Sequence, residues 1–583
     1  MILKKIISTI LALSMVLALS SCTKNADISG EVQSPSAAEN SDNPAFTQTA
    51  KEKELYGGDE RITFTIGIPK KENVTDYENN YFTKWIEEKC NVDLEFVFFS
   101  PKQDEYLIQI ATIMAANEKL PDILWGVVFP DDIMAEYDNG GYFLDLNRWL
   151  KDEEFMKGYD SFEFFSNPKN CSPEDWNFYN RKNINPTDGK RYHIGEFTAG
   201  SSDDMYIKMF INESWLKALG MAMPTDYEAF VEVLRAFRDK DPNGNGIKDE
   251  IPLLGSINTC EETTAWNDPV RWLINNWVYY NENYLFNATN GRLWLPSECD
   301  EYRTALKEIK KLVDEGLLST KIYTIKEYSE LKSLYFPDEG VQKVGAFSGH
   351  LTLVSVTDHP GLYEYTWLDP FNNAPLNQAF VSAEVSVSSA CQYPERAMKL
   401  LLATASREGT MVQRFGEEGI DWEEISDPID GHTIVKTINH NAFAGITDKT
   451  WALCSTAMRN SRNPYFNRTV ERKDPVREMN WDDYKSLIYS GSFTSYLEHG
   501  NRNNPTEIVK WYPYTSQERT ELGTIKTEYV AFIRRARAEF LTGVRDINSD
   551  ADWNAYLEQC RQIGSEKLLS ISQQAYTRMK NAS

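Results

Sequence analysis

The segment Asp241-Pro242-Asn243-Gly244-Asn245-Gly246-Ile247-Lys248-Asp249-Glu250 sets side-chain oxygens at alternate positions ahead of a glycine. Asp241, Asn243 and Asn245 take positions 1, 3 and 5 of a loop and Gly246 takes position 6. That is the first half of an EF-hand calcium loop, whose glycine permits the sharp turn that makes three oxygens converge on one hard cation. The Ile247 carbonyl would supply position 7, and Asp249 and Glu250 would complete a cage of oxygens for Ca2+. Position 12 is Pro252 rather than a bidentate glutamate. Every ligand comes from one loop, which makes the ion's role structural. The alternative is a Pro-Asn-Gly turn between helix and strand with solvated acids.

A second chemistry lies at the start of the chain. Lys4 and Lys5 precede an apolar run, Ile6 to Leu19, too short to span a bilayer as a helix. It ends in Leu19-Ser20-Ser21-Cys22, which resembles the bacterial lipobox, where the cysteine is diacylated and becomes the new N-terminus. Residues 1–21 therefore read as a lipoprotein signal peptide. Acyl chains on Cys22, palmitate among them, would anchor the protein at the outer face of the cell membrane or on its periplasmic side. Two chains anchor stably where one does not, because each buried methylene adds about 0.8 kcal/mol.

Aromatic supply suggests a third chemistry. Sugars offer flat C–H faces that stack on rings, while polar side chains take their hydroxyls in a concave site. Among the 15 tryptophans and their neighbours, the candidates for ligand contact are Trp125, Arg271, Trp272, Trp277, Phe347, His350 and Trp367. For any one of them, a place in the core is an equal reading.

Catalytic constellations are harder to find. A glycoside hydrolase needs two carboxylates about 5 or 6.5–9.5 Å apart, and among 87 Asp and Glu none can be singled out. The six histidines show no metal spacing, and Ser348 lacks the first glycine of a nucleophile elbow. The expectation is a binder with no catalytic residues. A formal net charge of -26 excludes the basic footprint that nucleic acid requires. Beyond Cys22, seven widely spaced cysteines without a C-x-x-C pair read as buried free thiols.

The positioning elements follow from periodicity. Residues 22–60 are rich in Ser, Asn, Ala and Glu and read as a flexible stalk. Ile62, Phe64, Ile66 and Ile68 alternate as a strand, and Phe82, Trp85 and Ile86 share a helical face that stops near Asn91. A second strand runs through Val92, Leu94, Phe96 and Phe98. A helix follows Pro101, and a short apolar strand, Ile123-Leu124-Trp125, completes a parallel sheet covered by helices. Ligands sit at the carboxyl ends of such strands, so the Phe99-Ser100 and Trp125-Gly126 turns point to a cleft. Farther on, Thr225 to Glu228 has capping-box spacing. Helices are expected from Glu301 to Val313, from Pro394 to Thr404, and along the face of Tyr529, Phe532, Ile533, Ala536 and Phe540.

The order of these segments resembles the extracellular solute-binding proteins of ABC importers, family 1 type, and in particular their large carbohydrate-binding lipoproteins. The resemblance is carried by Leu120-Pro121-Asp122-Ile123, Gly140-Gly141-Tyr142-Phe143-Leu144-Asp145-Leu146, Phe210-Ile211-Asn212 with Trp215, and Asp241 to Pro252. It continues in Phe415-Gly416-Glu417-Glu418-Gly419 with Trp422 and in the tail from Phe540 to Tyr576. It implies an α/β, two-lobed periplasmic-binding-protein-like (type II) fold with a hinge and extra C-terminal helices. It places lobe 1 at 61–200 and 345–405, and lobe 2 at 201–344 and 406–583. The hinge would be crossed near Phe197 to Asp204, near Gly345 to Gly349, and after Thr404. By similarity to alginate-oligosaccharide-binding members, which bind calcium through the same truncated loop, it also implies calcium at Asp241, Asn243, Asn245, Ile247, Asp249 and Glu250. The implied function is capture of a solute, an oligosaccharide by class, by a monomer that hands it to ABC permease subunits. The alternatives are a secreted carbohydrate-active enzyme, or an adhesion or sensory lipoprotein on the same fold.

Overall fold

In the computed structural model, the described residues run from 50 to 581. Segments 160–176, 200–207, 258–266, 350–359, 374–379, 440–447, 452–457, 461–472 and 492–505, with shorter runs and single positions, lie outside the description. Cys22, the signal peptide, most of the stalk, His350, and Cys171, Cys260 and Cys454 fall there too.

Order begins before the expected end of the stalk. Ala50–Leu55 forms a helix, α1. Lys89 bridges its Glu52 to Glu408, and the Tyr159 hydroxyl donates to the Leu55 carbonyl at 2.6 Å. The polar composition that suggested a free stalk is here tied down by an ion pair.

The chain then runs β1 (Ile62–Pro69), α2 (Tyr81–Cys90), β2 (Val92–Phe99), α3 (Gln103–Ala115) and β3 (Ile123–Trp125). β1 is parallel to both β2 and β3. The alternating Phe64, Ile66 and Ile68 of β1 are buried, as are Phe82, Trp85 and Ile86 of α2. Asn80 caps α2 by accepting from the Phe82 amide, and Asn91 closes it at φ 52°. The Leu120-Pro121-Asp122-Ile123 stretch has a mechanical reason for its aspartate. Asp122 accepts from the amide and hydroxyl of Thr65 at 3.0 and 2.8 Å, and its own amide donates back to that hydroxyl, pinning β3 onto β1. β4 (His193–Ile194) and a later strand complete the sheet, as described below.

A second sheet starts with β5 (Met209–Asn212), followed by α4 (Glu213–Leu219), α5 (Tyr227–Asp239) and β6 (Ile251–Leu254). The expected capping box at Thr225 shifts by one residue. The Asp226 carboxylate caps α5 by accepting from the Ala229 amide at 2.7 Å, a stronger acceptor than the neighbouring hydroxyl. After α6 (Pro269–Ile274) and α7 (Asp300–Asp314), β7 (Val344–Ser348) lies between β5 and β6, and β8 (Tyr365–Leu368) lies outside β5. Gly345 lets this happen, since a Cβ there would sit 2.2 Å from the Phe237 ring and 3.0 Å from the Pro252 carbonyl.

β9 (Val385–Val387) returns to the first sheet, antiparallel to β3 and β4, giving the order β2-β1-β3-β9-β4. Val344–Ser348 therefore belongs to the second sheet, although the sequence reading set it at the start of the return. α8 (Pro394–Thr404) packs on the first sheet beside α2, and α9 (Arg407–Phe415) packs on α8, its Glu408 accepting from the Trp85 indole of α2 at 2.8 Å. Trp451 joins that core too, donating to Thr83 at 2.9 Å. The last helices, α10 (Ile525–Thr542), α11 (Asp550–Ile563) and α12 (Ser565–Asn581), share one core with α5, α6 and α7 beneath the second sheet. Cys90, Cys299, Cys391 and Cys560 are free thiols, as expected. Among the described residues, no helix is long and apolar enough to cross a membrane.

Candidate functional site

The loop after α5 folds around its own oxygens. Asp241 accepts from the amides of Asn245 and Gly246 at 3.1 and 2.9 Å, and Asn243 accepts from Asn245 at 3.0 Å. Asn245 accepts from the Ile247 amide at 2.6 Å and donates to Asp249 at 3.1 Å. Gly244 and Gly246 take positive φ, 69° and 71°, which an L side chain rarely adopts. Glu250 completes the sequence motif. Both its carboxylate oxygens are buried without a formed hydrogen bond among the described residues. Desolvation raises its pKa, and the charges of Asp241 and Asp249 add to this against the pull of nearby backbone amides. The Lys343 ammonium lies 3.2 Å from Asp249. A partnerless carboxylate facing two further acids suits a hard cation. As arranged, however, no group of three His, Cys, Asp or Glu among the described residues is set to hold a metal.

The aromatic candidates divide by burial. Trp125 ends β3 fully buried, edge-on to Trp451 at 5.3 Å and to Phe82 at 6.2 Å. Phe347 is buried in β7, stacked on Tyr335 at 4.1 Å. Trp272 is buried between Phe230 and Phe371. Trp277, against Tyr227 at 4.8 Å, and Trp367 of β8 are half-buried. Arg271 is buried in an ion network, its Nε 3.2 Å from Asp268 and 3.3 Å from Glu282. Arg537 of α10 reaches the same two carboxylates at 2.6 and 3.0 Å, and Arg534 pairs with Glu282. Burial alone would raise the pKa of Glu282, but Arg271, Arg537 and Arg534 outweigh it and hold the carboxyl at about 2.

One aromatic group was read only as strand. At the carboxyl end of β2, Phe98 is 41% exposed and its neighbour Val97 38%. The Phe96 and Phe98 rings are parallel within 7°, centroids 5.8 Å apart, and Tyr77 packs on both. The signal available was the run Phe96-Val97-Phe98-Phe99, which carries aromatics to the strand's very end.

No family model matches the chain. Across 459 residues, 76% of this chain and 79% of the relative, it is 21% identical to the fructooligosaccharide ABC transporter substrate-binding protein FusA of Streptococcus pneumoniae. With lipoprotein LipO of Bacillus subtilis it shares 28% identity over 179 residues, 31% of this chain and 30% of that protein. A solved solute-binding protein that binds HMO, from Bifidobacterium longum infantis, superimposes with a TM-score of 0.68. The match covers 89% of this chain and 99% of that one at 20% identity. The fold is that of the ABC-transporter solute-binding proteins. A FusA EF-hand mutant in complex with fructo-nystose gives a TM-score of 0.64 at 16% identity, covering 89% and 100% of the two chains. Alginate-binding protein AlgQ2 without calcium ion gives 0.59 at 19%, covering 89% and 99%. The two-lobed α/β architecture expected from sequence is thus the observed fold class, and these relatives are binding proteins rather than enzymes.

Proposed function

We propose that this chain is a lipid-anchored extracellular receptor that captures an oligosaccharide and delivers it to an ABC permease. The observation that carries this reading is the match over nearly the whole folded body to solute-binding proteins whose names specify oligosaccharides. Two sheets with separate helical covers support a reading as two halves, and the chain between 194 and 209 and again between 368 and 385 would form the hinge. Contacts from both halves would make the closed state the one that solute stabilises. Of the ring candidates, half-buried Trp277 and Trp367 are the better placed to meet a ligand without repacking. Trp125, Trp272, Phe347 and Arg271 would support the walls, and His350 follows the carboxyl end of β7.

Calcium at the loop after α5 is supported by the spacing of its oxygens and by the two buried Glu250 oxygens without a formed hydrogen bond among the described residues. Asp241, Asn243, Asn245, the Ile247 carbonyl, Asp249 and Glu250 would hold it, and the ion would supply the positive charge that Glu250 lacks. Cys22 would carry the acyl anchor, a reading that the likeness to LipO supports.

Titrating the purified full chain with fructo-, milk and alginate oligosaccharides by calorimetry tests the central claim. Stoichiometric binding without product formation is expected, and turnover of a bound glycan would overturn it. Cys22→Ser should release the protein from the membrane fraction; unchanged membrane retention would refute the anchor.

A further inference from the structure

Phe98 is an exposed ring at a place where parallel α/β sheets bind ligands. β1 and β2 end together, Pro69 opposite Phe99, and the next residue after β1, Lys70, sets its ammonium 5.0 Å from the Phe98 centroid. The Lys70 amide donates to the Phe99 carbonyl at 3.0 Å, which locks the two strand ends side by side. Phe98 is also braced from behind. Phe96 lies parallel to it, Tyr77 packs on both rings, and Trp451 stands edge-on to Phe96 at 5.4 Å. The Tyr77 hydroxyl is in turn fixed, accepting from the Lys71 amide at 3.1 Å. This is a rigid aromatic support with one ring left partly bare. The charges nearby are informative. Asp93 and Glu95 guard the first half of edge strand β2, as edge strands commonly require, but no charge follows them in Phe96-Val97-Phe98-Phe99. Lys70 is exposed, and among the described residues no carboxylate pairs with it, in a chain whose net charge is -26.

We propose that Phe98 is a stacking platform for one sugar ring of the bound oligosaccharide, with Lys70 donating to a ring hydroxyl. The inference rests on the receptor reading and adds to it a named subsite on the first-sheet half. A bare hydrocarbon patch would suit any apolar partner. A rigid ring with a cationic donor poised over it suits a ligand with an apolar C–H face rimmed by oxygens, because dispersion with the ring and a charge-assisted hydrogen bond are then made together. Lys70 has four rotatable bonds and, among the described residues, no carboxylate to hold it, so it can leave the Phe98 face as the sugar ring settles.

Calorimetry on the full chain with the same oligosaccharide panel decides the matter. Phe98→Ala should weaken binding of the wild-type ligand about tenfold or more, as loss of a central aromatic anchor does. Phe98→Trp should stay within about threefold, since it keeps the π face. Phe98→Leu retains apolar bulk without the face and should weaken binding several-fold at an unchanged melting temperature, which separates stacking from folding. Lys70→Met should show a smaller loss. Wild-type affinity in both Phe98→Ala and Phe98→Leu would overturn the platform while leaving the receptor reading intact. No binding of any saccharide by the wild-type chain would overturn both. A wild-type dimer that Phe98→Ala converts to monomer would show that a second copy covers this ring, and would overturn the platform.

Discussion

Arg271 and Arg537 share the carboxylates of Asp268 and Glu282 in a space from which water is excluded, all four residues being nearly fully buried. Taking ions out of water is costly, and mutual attraction repays it only while every partner is present. An arginine beside tryptophans reads from sequence as a ligand contact, and here its guanidinium shares Asp268 and Glu282 with Arg537 of α10. Glu282→Gln removes one of the two carboxylates that three arginines depend on, and should lower unfolding free energy by about 3–5 kcal/mol in urea titrations. The pH dependence has a definite sign. The folded carboxyl is held at about 2, below the ordinary 4.5, so Glu282 stabilises the fold above pH 4.5 and loses that contribution as pH falls toward 2. Across this window the slope of unfolding free energy against pH should be shallower in Glu282→Gln by up to one proton. Equal slopes in the two proteins would rule out the assignment.

At the scale of elements, the loop between α5 and β6 carries the clearest consequence. Both carboxylate oxygens of Glu250 are buried without a formed hydrogen bond among the described residues, and its pKa is raised by desolvation together with the charges of Asp241 and Asp249. The folded state therefore binds this proton more tightly than the unfolded one, and without a cation its ionisation opposes folding as pH rises above the ordinary carboxyl range. Calcium should reverse that penalty. Adding calcium to chelator-treated protein should raise the melting temperature more at pH 7 than at pH 5, because protons compete for the same oxygens. Glu250→Gln should raise the melting temperature of the calcium-free protein at pH 7 and shrink the calcium-induced increase. Identical melting curves with calcium and with chelator, at both pH values, would refute a bound structural ion.

For the whole molecule, the chain passes between the two sheets more than once. Strand β9 enters the first sheet only after β7 and β8 have completed the second, so more than one covalent connection links the halves. Connections of that kind permit bending while preserving each core. Small-angle scattering should record a smaller radius of gyration once a bound oligosaccharide is present, because solute favours the closed arrangement. A radius unchanged at saturating ligand would argue against closure as the mechanism of capture.

How far the sequence alone reached follows from the range of the forces involved. Period-two alternation in Ile62–Pro69, helical spacing in Tyr529–Phe540, the stop at Asn91 and the turn residues from Asp241 to Glu250 are local patterns, so strands, helices, caps and the tight loop after α5 were legible without coordinates. Which residues remain in contact with solvent was not. Trp125 and Phe347 are hidden by partners far along the chain, Trp451 for the one and Phe210 for the other. Phe98, which reads as an ordinary strand position, is left partly exposed at the end of β2, the outermost strand of its sheet. Burial depends on what the rest of the chain brings alongside, and for this protein only tertiary packing decided which aromatic rings form the core and which can meet a solute.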